Sequence, residues 1–277
     1  MYSVLILTLN EEINMQDCIN SVSSSDDIVI LDSFSSDKTT EIAEKNNVRI
    51  YQREFDNYAA QRNYALSEIV YKNKWLFMLD ADERATQDFE RELIEKLKNV
   101  REDVSILRFR RKDIFQGRWL KRSSGYPTWF GRVLKIGSVK VEREINEEYH
   151  TDGNVGYLKE HILHYPFNKG IEYWIERHKR YSSMEAEYLT SGTAGQRIKL
   201  GNLFSRDPII RRKALKQTLY LLPFRPFLVF IYLYIFSFGF LDGKAGYKFC
   251  RLRAMYERMI VVKMKEKKQR GRNNSSF

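Results

Sequence analysis

Four short apolar runs alternate with segments of helical spacing across the first eighty residues, and this alternation restricts the fold more than any other feature. Residues 4–8, 27–32, 48–51 and 74–79 read as strands, and residues 11–21, 37–46 and 58–68 between them as helices. Within the first helix Ile13, Cys18 and Ile19 recur at roughly helical spacing, and Ser36 or Asp37 is placed to cap the second. Parallel neighbours need a crossover long enough to hold a helix, so this order predicts an α/β chain with a mostly parallel sheet covered on both faces. The continuous apolar character of 27–32 and 74–79 fits strands buried on both sides.

A chain of 277 residues can bury one large core and carry an appendage. The expected division is a catalytic domain at 1–190 and a helical, apolar and basic region at 191–277. The net charge of +11 is consistent with nucleic acid, anionic lipid or phosphate-bearing ligands. Its distribution separates these partners. From Lys244 to the end eleven basic residues face only Glu257 and Glu266, directly after the most apolar stretch, 219–241. A basic tail behind an apolar segment points to an anionic membrane surface and away from nucleic acid. Pro223, Arg225 and Pro226 interrupt the apolar stretch, so an interfacial or re-entrant helix pair is expected in preference to a full span. A core helix of a helical subdomain is the plain alternative. Cys18 and Cys250 stand far apart without metal-ligand spacing, and residues 2–7 enter a strand without a basic leader. The expected location is therefore cytoplasmic, peripheral on the inner face of the membrane.

The chemistry concentrates where strands end. Residues 75–83 read Trp-Leu-Phe-Met-Leu-Asp-Ala-Asp-Glu, so a buried strand delivers Asp80 and Asp82 at its C-terminal end, where open α/β sheets bind ligands. Oxygen ligands at this spacing suit Mg²⁺ or Mn²⁺ held jointly with a diphosphate. Alone the pair is a weak signal, because Asp80 as a helix cap and Asp82 as a solvated charge explain it equally. Two further loops strengthen it: Thr8-Leu9-Asn10-Glu11-Glu12 after the first strand, and Asp32-Ser33-Phe34-Ser35-Ser36-Asp37-Lys38-Thr39 after the second.

These loops, with Gln61-Arg62-Asn63-Tyr64-Ala65 between them, resemble family 2 glycosyltransferases, in which the same four motifs occur in the same order. The resemblance implies a GT-A fold and a nucleotide-sugar donor, a UDP-sugar in the first instance. It assigns the base and ribose to Thr8, Leu9, Asn10, Glu11 and Asp32, and places Arg62 near the diphosphate or in the wall of the donor pocket; Arg132, in Trp129-Phe130-Gly131-Arg132, is a separate candidate for a diphosphate contact. It further implies that Asp80 and Ala81 reach the ribose or sugar and that Asp82, with Asp80, binds the metal. A surface ion pair is the plain reading of Arg62, and a turn or helix cap that of Asn10.

The second half is similar to the branch of lipopolysaccharide-core β-1,4-glucosyltransferases. Asn146-Glu147-Glu148, His161-Ile162-Leu163-His164, Lys179-Arg180-Tyr181-Ser182 and Gly239-Phe240-Leu241-Asp242-Gly243 carry that likeness. It implies inverting transfer of a hexose to a saccharide or lipid-linked glycan. Such transfer needs a base for the acceptor hydroxyl. Glu147 is the candidate and Glu148 the reserve, because the branch shows His-Glu where this chain has Asn146-Glu147. An exposed acidic run is the competing reading. His164 is a possible ligand of metal or phosphate, or a structural histidine. Trp119, Tyr126 and Trp129 suit either sugar stacking or packing. A nucleotidyltransferase is disfavoured because the first loop lacks glycines and basic residues, and a non-enzymatic basic scaffold leaves three acidic loops unexplained.

Overall fold

The computed structural model describes residues 1–142, 148–190, 200–207, 210–211, 214 and 224–274. The chain forms two compact units, Met1–Asp113 with Trp129–Asn168 and Ile114–Thr128 with Lys169–Phe277. The sequence-based division at residue 190 differs from this one, which groups the long helix before 190 with the C-terminal part.

Through the first unit the elements run β1 (Ser3–Thr8), α1 (Glu12–Asn20), β2 (Ile28–Asp32), α2 (Thr39–Lys45), β3 (Arg49–Gln52), α3 (Tyr58–Glu68) and β4 (Trp75–Asp80). There follow β5 (Glu83–Arg84), α4 (Gln87–Lys98) and β6 (Val104–Phe115). After β7 (Arg118–Trp119), which belongs to the second unit, come β8 (Trp129–Lys135), β9 (Lys140–Glu142), β10 (Glu148–His150) and β11 (Asn154–His164). The main sheet has the order β3-β2-β1-β4-β8-β6-β11-β5. Its first four strands are parallel, with Leu7 between Leu31 and Asp80 in register. From β8 onward the sheet is mixed: β8 is antiparallel to β4 and to β6, β11 is parallel to β6, and β5 is antiparallel to β11. The expected alternation thus holds through β4. After α4 no helix lies between β6 and β8, and antiparallel pairing becomes available.

Period-two alternation splits the core between the two faces. Val4, Ile6, Ile30, Phe77, Leu79, Leu107 and Phe109 join Met15, Cys18, Phe89 and Leu93 on the side of α1 and α4. Leu5, Val29, Leu31, Leu76, Met78, Ile106 and Leu134 meet Ala65 of α3 and Ile69 just beyond it on the other. This is why 28–31 and 75–79 carry no polar residue before Asp32 and Asp80: both faces are buried. Asn57 caps α3 through Ala60 N (2.8 Å), and Thr86 caps α4 through Phe89 N (3.2 Å). The expected cap of α2 is shifted. Lys38 occupies the N-cap without a side-chain bond, and Asp37 accepts from Thr39 N at 3.0 Å instead.

In the second unit Ile114 and Phe115 pair with Trp119 and Arg118. It also holds α5 (Gly170–Thr190), α6 (Arg225–Ile231), a π-helical turn at Tyr232–Phe236, a 3₁₀ turn at Gly239–Asp242 and α7 (Gly243–Asn274). The Asp242 carboxylate accepts from Arg122 N, Ser123 N and Ser123 Oγ at 2.7–2.9 Å, pinning the 3₁₀ turn to the 114–128 segment. A Cβ on Gly239 would lie 2.5 Å from the Leu233 carbonyl oxygen, so only glycine lets the turn close there. No single helix among the described residues is long and apolar enough to cross a membrane. The Arg225–Phe236 and Gly239–Lys267 segments pass that test only together, bent by 73° at their break. The start of the apolar stretch, 219–223, lies outside the described residues.

Candidate active site

The C-terminal ends of β1, β2 and β4 bring the three acidic loops to one sheet edge. Asp32 is fully buried and accepts from Thr8 Oγ1 (2.8 Å) and Ser35 N (2.8 Å). Asn10 has φ +55°; its backbone N–H donates to Ser35 Oγ, and its Oδ1 accepts from Ser36 N, both at 2.8 Å. Glu11 N donates to Thr39 Oγ1 (2.7 Å) and Glu12 N to Asp37 Oδ2 (3.0 Å). The first two motifs therefore lock onto one another, and the expected nucleotide-binding stretch Thr8–Glu11 is stitched to the Asp32 loop. Leu9 stays exposed at this edge.

The third motif sits in a chain of alternating charges. Asp80 lies between two arginines: Oδ1 accepts from Arg62 Nη2 at 2.8 Å and Oδ2 from Arg132 Nη1 at 2.6 Å. Burial opposes ionisation of this carboxyl, but Arg132 and Arg62 outweigh it and hold its pKa well below the usual carboxylate range. Arg132 continues to Glu83 Oε2 (3.2 Å), and Glu83, itself buried, accepts from Asp80 N (2.9 Å) and Arg111 Nη1 (2.9 Å). Arg111 Nε lies 3.4 Å from Asp113, whose Oδ1 is 2.7 Å from His164 Nδ1. His164 Nε2 in turn stands 3.4 Å from Asp82 Oδ2. Burial and Arg111 push the His164 imidazole down, and the carboxylates of Asp82 and Asp113 outweigh them, so its pKa is raised overall. Ala81 is buried, and its carbonyl accepts from Arg84 Nη1 at 2.7 Å.

The plain surface reading of Arg62 is excluded, since it is 1% exposed and faces Asp80. The two halves of the Asp-x-Asp pair differ in fitness for a metal. Both Asp80 oxygens accept from guanidinium groups, whereas Asp82 faces an imidazole. Asp82 Oδ2 and His164 Nε2 face each other at a separation that one divalent ion can bridge, a carboxylate and an imidazole being donors that Mn²⁺ accepts. No group of three or more His, Cys, Asp or Glu side chains arranged for a metal occurs among the described residues. Two such donors would leave positions for diphosphate oxygens and water.

Glu147 lies outside the described residues. Glu148 begins β10, its backbone paired with Glu142 of β9. Trp129 packs edge-on against Tyr157 in the first unit, with centroids 5.1 Å apart, whereas Trp119 pairs with Tyr126 in the second at the same distance. Sequence reasoning missed Glu83, Arg111 and Asp113. The signal available for Glu83 was its place directly behind Asp82; Arg111 and Asp113 stand one residue apart on β6, at period-two spacing.

The sequence profile described as Glycosyl transferase family 2 matches residues 3–170, more than half of the chain. The chain belongs to glycosyltransferase family 2. It is 28% identical over 207 residues to an uncharacterized glycosyltransferase of Rickettsia bellii, covering 74% of this chain and 65% of that one. It is 25% identical over 214 residues to the lipopolysaccharide core biosynthesis glycosyltransferase LpsC of Rhizobium meliloti, covering 75% and 77%. Among solved structures, S. aureus TarS with UDP-GlcNAc aligns over 93% of this chain and 91% of its own, at 14% identity and a TM-score of 0.44. Mycobacterium tuberculosis glucosyl-3-phosphoglycerate synthase with Mn²⁺, UDP-glucose and phosphoglyceric acid aligns over 40% and 44%, at 21% identity and a TM-score of 0.35.

Proposed function

We propose that this family 2 enzyme transfers a hexose from a UDP-sugar, with inversion, to a saccharide or lipid-linked glycan in cell-surface lipopolysaccharide synthesis. The observation that carries the reading is the pairing of Asp82 with His164 beside an Asp80 fixed by Arg62 and Arg132, at the edge where the Asn10 and Asp32 loops interlock. The likeness to LpsC supports the product class.

Thr8, Leu9, Asn10, Glu11 and Asp32 form the shelf for the base and ribose. Asp80 and Ala81 border the ribose and sugar. Arg62 and Arg132 hold Asp80 ionised and contribute positive potential where a diphosphate lies. Asp82 and His164 would hold Mg²⁺ or Mn²⁺, which when bound neutralises charge on the leaving diphosphate. The acceptor hydroxyl gives its proton to Glu147, with Glu148 as the alternative, while its oxygen forms the new bond to the anomeric carbon. The bond from that carbon to the diphosphate breaks, and its electron pair leaves with the nucleotide.

Calorimetric titration with UDP in the presence and absence of Mn²⁺ tests the donor half. Binding that strengthens with Mn²⁺ supports the reading; indifference to both nucleotide and metal removes it.

A further inference from the structure

We propose that the corner joining α6 to α7 is a non-spanning wedge that seats in one leaflet of an anionic membrane. Phe224, Phe227, Phe236, Phe238, Phe240 and Leu241 are all exposed there, Phe236 to 71% and Leu241 to 62%. Scattered apolar side chains are ordinary on a surface, but a cluster within eighteen residues of one element pair marks an interaction site. Two of these residues hold a costly conformation at either side of the first arm: Phe224, its N-cap, has φ +56°, and Phe238, the N-cap of the 3₁₀ turn, φ +58°. Bulky residues avoid that region.

The wedge is built to keep its shape. Inside the corner Tyr234 packs on Phe230, Phe240 and Tyr247 at centroid distances of 5.4, 6.3 and 5.6 Å. Away from the corner the buried Arg225 side chain forms an ion pair with Glu257 of α7, and Arg253 lies 3.7 Å from the same carboxylate. The arm Arg225–Phe236 is about 18 Å long at helical rise, well short of a hydrocarbon core of about 30 Å. The 73° bend then turns the chain out of that direction.

Charge selects the partner. Lys244, Lys248, Arg251, Arg258 and Lys265 are exposed and follow one another at helical spacings of four, three, seven and seven residues, so they form one stripe along α7. The stripe starts where the exposed aromatic rings end. Rings that enter acyl chains beside cations at headgroup level are the pattern of an interfacial anchor on anionic lipid.

The test is flotation of the full-length protein with phosphatidylcholine vesicles and with vesicles carrying about 30 mol % phosphatidylglycerol. No sugar donor is present, so the outcome is independent of the transfer reaction. Retention on the anionic vesicles, weakened by salt, is expected. Phe236→Ser/Phe238→Ser/Phe240→Ser should reduce it by at least about tenfold. Lys244→Glu/Lys248→Glu/Arg251→Glu should reduce it by a similar factor while leaving residual binding to neutral vesicles unchanged. If the triple phenylalanine variant does not fold, an environment-sensitive fluorophore on Phe238→Cys gives the same answer through a blue shift on adding anionic vesicles. Equal retention on both vesicle types, undiminished binding by the variants, or no blue shift overturns the proposal. So does a dimer that the phenylalanine substitutions dissociate, without vesicle binding by the parent protein.

Discussion

His164 stands between two carboxylates, its Nε2 3.4 Å from Asp82 and its Nδ1 2.7 Å from Asp113. Asp113 therefore fixes the ring so that the opposite nitrogen faces Asp82, an outer-shell role that tunes metal sites elsewhere. Asp113→Asn should weaken the apparent affinity for Mn²⁺ by about 10–100-fold. Saturating metal should restore much of the lost transfer rate. An unchanged metal titration would show that Asp113 serves packing alone.

Glu147→Gln keeps size and hydrogen bonding but removes the proton acceptor. A positioned base contributes on the order of 10²–10⁴-fold, so transfer should slow within that range while UDP affinity holds. Glu148→Gln should cost far less. A reversed order moves the role to Glu148, and loss below about tenfold for both places the base elsewhere.

Phe34 occupies the Asp32 loop with φ +59° and a side chain 55% exposed. A left-handed conformation costs a non-glycine residue about 1–2 kcal/mol, partly offset by the larger unfolded-state entropy of glycine. Phe34→Gly should thus raise stability by about 0.5–1 kcal/mol in urea unfolding. A fall would mean that the ring contributes more packing than its exposure implies.

Asp27 lies at the other end of β2, away from the site. Burial raises its pKa, but hydrogen bonds from Ser3 Oγ, Lys72 N and Arg49 outweigh this and lower it overall. A depressed folded-state pKa adds stability that is complete above the unfolded value of about 3.9 and disappears as pH falls through the folded one. Asp27→Asn should lower stability at neutral pH by about 1–3 kcal/mol and flatten the acid limb of a stability–pH curve. A parallel acid limb would contradict the assignment.

The parallel half of the fold was legible because β1, β2 and β4 each hold an apolar run closed by a polar loop, with helical spacing between them. The pairing within the mixed half was not. β6 carries Arg108, Arg110, Arg111, Lys112 and Asp113 within twelve residues, and this pattern conceals which neighbours its charged side chains meet. The same concealment explains the site. Asp80 and Asp82 were visible as a motif, yet their different environments depend on Arg132, Glu83 and His164, from three other strands. The separation of one aspartate for arginines and one for histidine exists only once β8 and β11 are in place.

The central claim is that Asp82 holds a divalent metal for a UDP-sugar donor. The most direct measurement is transfer or slow hydrolysis of UDP-sugar by the parent protein and by Asp82→Asn, across a Mn²⁺ titration, with melting curves alongside. The parent activity should rise with Mn²⁺, and Asp82→Asn should lose nearly all of it while melting cooperatively like the parent. Full activity after exhaustive chelation, or an Asp82→Asn variant as active as the parent, would contradict it.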